Sequence, residues 1–96
     1  MHNLSDLRSY ADIRKYVPSP VFGQAMGFIS WHNRLTMTPM LEPWEALVVS
    51  LAYQLKPLDG MVFTAVKTFL EETRKETVVN LDQANGRARQ LIARIS

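Results

Sequence analysis

Five prolines punctuate this 96-residue chain: Pro18, Pro20, Pro39, Pro43 and Pro57. Each lacks a backbone N–H and disfavours helical geometry in the residue before it, so no helix runs uninterrupted through these marks. Between them apolar residues recur at spacings of three and four, the period of an amphipathic helix, and nowhere in strand-like alternation. The expectation is an all-α fold: one compact, single-domain bundle of four to five helices over residues 1–96.

The helix boundaries follow from capping chemistry. A first helix is predicted over residues 4–16, with Asn3 or Ser5 as cap and Leu4, Leu7 and Ala11 on its inner stripe. Ser19-Pro20 opens a second, because a serine cap followed by proline at the first helical position leaves no extra donor unpaired. It reaches Asn33 or Arg34. Val21, Phe22, Ala25, Met26, Phe28, Ile29 and Trp31 leave it little polar surface, so it is expected to be the central, most buried helix. A third starts at Glu42 or Pro43 and carries Trp44, Leu47, Val48, Leu51 and Leu55. Residues 56–60 form a turn, and Asp59 can cap a fourth helix over residues 60–76. Thr77-Val78-Val79 is a β-branched link, or a kink if two helices fuse. Asn80 or Asp82 begins the last helix, whose stripe of Leu81, Ala84, Ala88, Leu91, Ile92 and Ile95 keeps its phase across Gly86.

Composition excludes several functions. The chain is 47% hydrophobic and 21% charged, as in an ordinary globular domain, and its formal net charge is +2. No cysteine is present, so there is no disulfide framework and no thiolate metal site. The N-terminus lacks the basic and apolar segments of a secretion signal, and no apolar run approaches the ~20 residues needed to cross a bilayer. The expectation is a cytoplasmic protein without membrane contact, metal or cofactor. His2 and His32 have no second ligand at helical spacing, and His32 reads as a charged residue near a helix C-terminus. The acidic residues Glu71, Glu72 and Glu76 alternate with bases as on a solvated face, and no serine pairs with a histidine. The chain therefore reads as a non-enzyme.

Three features carry the functional expectation. Gly23 and Gly27 lie four apart, on one face of the second helix. Without a following Lys-Ser or Lys-Thr they are no phosphate loop, and they suit close helix packing, either within the fold or as a seam between two copies in a homo-oligomer. Residues 35–44, Leu-Thr-Met-Thr-Pro-Met-Leu-Glu-Pro-Trp, form an irregular link rich in apolar side chains. Met37, Met40, Leu41 and Trp44 are the candidate contacts to another protein, because methionine adapts to partners and tryptophan anchors interfaces. The last helix carries Arg87, Arg89 and Arg94 with Gln90, residue types that contact phosphates and bases. The leading expectation is a small regulator or adaptor that binds another protein. The alternative is a nucleic-acid-binding transcriptional regulator using the basic C-terminal helix, or a helix–turn–helix with residues 56–60 as its turn.

Overall fold

The computed structural model describes residues 4–36 and 41–96, with backbone only at Leu35 and Thr36. Those residues form four α-helices: α1 (Ser19–Thr36), α2 (Pro43–Leu55), α3 (Phe63–Thr73) and α4 (Leu81–Ile95). Two 3-10 turns, Tyr10–Lys15 and Gly60–Val62, complete the architecture, and no strand occurs among the described residues. The fold is the expected all-α bundle, with a Cα radius of gyration of 12.0 Å, as a domain of this length should have.

The central helix is α2, not α1 as its apolar composition suggested. Residues 45–52 of α2 are buried without interruption. The helix packs against α4, α1 and the 3-10 turn at Tyr10–Lys15. By contrast, α1 buries Ala25, Phe28, Ile29 and His32 but turns Gly23, Gln24, Gly27, Ser30, Trp31 and Arg34 outward. Glycine and serine do not signal a polar face by composition, and Trp31 falls in their phase. That is why α1 looks apolar all round on paper.

The N-terminal segment is also not the long helix expected over residues 4–16. Short polar side chains capture its backbone instead, which is how Ser and Asp compete with helix formation. The Asp12 carboxylate accepts from the N–H groups of Arg8 (2.9 Å) and Ser9 (3.0 Å). The Tyr16 hydroxyl donates to Asp6 at 2.9 Å. Leu4 is pinned into the core by its N–H, which donates to the Val79 carbonyl at 3.1 Å.

The second half follows its caps. Asp59 accepts from the Met61 N–H at 2.9 Å, and the fourth expected helix divides into the 3-10 turn and α3. The β-branched link at residues 77–79 separates α3 from α4, with Val78 buried. Asn80 caps α4 by accepting from the Gln83 N–H at 2.8 Å, while the Gln83 side chain accepts from the Val79 N–H at 2.9 Å. Gly86 lies inside an uninterrupted α4, where the packed stripe of Ala84, Ala88 and Leu91 offsets glycine's poor helix propensity.

Candidate partner-binding surface

The apolar link expected to dock a partner is divided by the fold. Met37 and Met40 lie outside the described residues. Leu41 is only 3% exposed and belongs to the core, so its side chain cannot contact a partner. Its carbonyl accepts from the Tyr10 hydroxyl at 2.7 Å, tying the 3-10 turn to the start of α2. Trp44 is half-buried in the first turn of α2 and packs against the core. It helps to line a shallow cavity of about 250 Å³ with Leu4, Leu7 and Val78.

The basic helix is likewise partly committed to internal work. Arg87 reaches across to the C-terminal end of α3 and donates to the carbonyls of Thr73 (3.3 Å) and Glu76 (3.1 Å). A cation there satisfies carbonyls that the helix leaves orphaned. Arg94 pairs with Glu72 at 2.9 Å and lies 5.6 Å above the Phe69 ring. Arg89 and Gln90 are exposed. Arg87 and Arg94 thus face α3, whereas Arg89, two residues after Arg87, lies on nearly the opposite side of α4.

Gly23 and Gly27 overturn the expectation of close packing within the fold. Both are exposed, and no heavy atom of the described residues lies within 4 Å of a Cβ built on either glycine. They sit in the middle of the outward face of α1. One step of four further along, Trp31 is 47% exposed. Beside it, Gln24, Phe28, Trp31, Tyr53, Leu58 and Gly60 line a shallow groove of about 280 Å³. Leu55, at the end of α2, is 57% exposed, and Met61, next to Gly60, is 92% exposed. Sequence reasoning placed Trp31 in the core and singled out neither Leu55 nor Met61 as contacts. The signal available was the four-residue spacing of Gly23, Gly27 and Trp31.

The segments that build this surface are poor in carboxylates. No carboxylate occurs from Ile13 to Leu41, nor from Ala46 to Leu58. Arg34 lies one turn beyond Trp31, Lys56 follows Leu55, and Arg14 sits 5.8 Å above the Phe22 ring on the other flank of α1. Asp59, at the groove's edge, is engaged in capping the Met61 N–H.

Two buried titratable groups lie beneath the surface rather than on it. Glu45 is 1% exposed; its carboxylate accepts from the Glu42 N–H at 2.9 Å and from Arg74 Nε at 3.1 Å. This joins the start of α2 to the residue that ends α3. His32 is buried against Phe63, with ring centroids 5.1 Å apart. Burial pushes its pKa below the ordinary histidine value, and Lys67 and Arg74 push in the same direction. His32 is therefore a neutral core residue, not the charged helix-end group expected from sequence.

Among the described residues no group of three His, Cys, Asp or Glu side chains is gathered to hold a metal ion, and no helix is long and apolar enough to cross a membrane. Compared with known proteins, the chain matches no family model, no curated protein and no solved structure.

Proposed function

We propose that the protein is a small non-enzymatic regulator or adaptor that acts by binding another protein through the outward face of α1 and the adjoining groove. One observation carries this reading: the exposed Trp31 side chain lines a shallow apolar groove with Phe28, Tyr53 and Leu58, and the exposed Met61 follows Gly60 at its edge. Exposed aromatic and methionine side chains around a hollow are what interface anchors look like.

The nucleic-acid reading receives less support, because Arg87 and Arg94 already have partners within the fold. A test of it should use Arg89→Glu, since Arg87→Glu would also uncap α3.

Photo-crosslinking tests the protein-docking reading. A benzophenone side chain at position 61 should yield a discrete heterologous adduct in cells that express the protein, lost in a Trp31→Ala background. The same probe at position 75, exposed on the turn after α3, should yield none. Equal labelling from both positions, or adducts insensitive to Trp31→Ala, would remove the basis for the interface.

A further inference from the structure

The geometry points to a partner of defined chemistry for this surface: an amphipathic helix whose apolar stripe is flanked by carboxylates. The inference rests on the docking reading above and deepens it.

Shape argues for a helix. From Gly23 to Trp31 the outward face of α1 is an open strip about 12 Å long at 1.5 Å rise per residue. It has no side chain at two successive four-residue positions. Absent side chains let a second helix backbone come close, and an approach of about two turns matches the i, i+3/i+4, i+7 anchoring of helix-in-groove recognition. Strand addition is disfavoured, because the described residues offer no sheet edge. The groove lined by Gln24, Phe28, Trp31, Tyr53 and Leu58 runs beside this strip, where an apolar anchor of the partner would seat.

Charge argues for an acidic one. The strip itself is uncharged; the exposed Arg34 lies one turn beyond Trp31 on the same helix, and the exposed Lys56 precedes the groove's Leu58 by two residues. Arg34 and Lys56 make no ion pair among the described residues, and Asp59, beside the groove, is turned to its own cap. Opposite charge at an interface rim sets partner choice and association rate more than raw affinity. A second copy of α1 would bring the same carboxylate-free face and gain no such complementarity.

The test uses two labelled synthetic peptides with the same leucine stripe, one flanked by glutamates and its twin by lysines, followed by fluorescence anisotropy near physiological salt. The glutamate peptide should bind with a Kd below about 100 μM, and its twin at least about tenfold more weakly. Gly27→Leu should abolish binding while leaving the melting temperature unreduced, since the new side chain enters open space. Lys56→Glu combined with Arg34→Glu should invert the preference. Equal binding of the twins, no binding of either, or affinity indifferent to Gly27→Leu would each overturn the acidic-helix assignment. Sedimentation showing a dimer that Gly27→Leu dissolves would overturn it in favour of a second copy. If position 61 still crosslinks a partner under any of these outcomes, the docking reading survives and only the partner's chemistry falls; if it does not, both fall.

Discussion

Glu45 and Arg74 show how unevenly two members of one ion pair depend on each other. The carboxylate is buried, while the Arg74 side chain is 42% exposed and can return to water. Arg74→Ala strands a desolvated charge and is expected to cost about 3 kcal/mol, softened by the Glu42 N–H and the positive end of α2. Glu45→Gln keeps an acceptor for that N–H and should cost about 1 kcal/mol. Urea unfolding of the two variants checks the order; equal losses would mean the pair is solvated. His32 makes a different demand at this scale. Its folded pKa is depressed by burial and by Lys67 and Arg74, so its stabilising effect is complete above the unfolded value of about 6.5. It is lost as pH falls from there toward the folded value, because the unfolded chain then binds the extra proton. Melting temperature should therefore decline between pH 7.5 and 5, before Asp6 and Asp12 titrate. His32→Phe should flatten that decline; an unchanged slope would assign it to other groups. The sequence could not disclose either role, because a lone histidine and a glutamate near a proline carry no mark of burial.

At the scale of the element, caps were legible and faces were not. Glu42-Pro43, Asp59 and Asn80 stand at the starts of α2, the second 3-10 turn and α4, as their side-chain chemistry places them, whereas Ser19 is itself the first residue of α1 rather than its flanking cap. Boundaries failed where polar side chains took the backbone, as Asp12 does for Arg8 and Ser9. The orientation of α1 failed because Gly23, Gly27, Ser30 and Trp31 look neutral or apolar in composition yet share the outward side. That error has a thermodynamic consequence. If the glycines packed against another element, a methyl group there would clash; in open space it only improves helix propensity. Gly23→Ala and Gly27→Ala should each stabilise the protein by about 0.5–1 kcal/mol, additively. Thermal unfolding of the double variant reads this directly, and a lowered melting temperature would return the glycines to the core.

Across the whole molecule, the all-α class was legible because five prolines and the three–four periodicity leave no room for a sheet. The binding surface was legible only in fragments. Met40 and Trp44 draw attention by residue type, yet Leu41 beside them is core. Trp31, Tyr53 and Leu58 come from three separate segments around Pro43 and Pro57, and only folding brings them to one groove. The four glycines provide a built-in reporter of that surface: Gly23 and Gly27 on the open face of α1, Gly60 at its groove, Gly86 inside α4. The deciding measurement is an amide ¹H–¹⁵N correlation spectrum of the labelled protein titrated with the glutamate-flanked peptide. The Gly23, Gly27 and Gly60 signals should move with a common saturation curve while Gly86 stays still; movement of Gly86 and the Arg87–Arg94 amides alone, or of none, would contradict the docking surface.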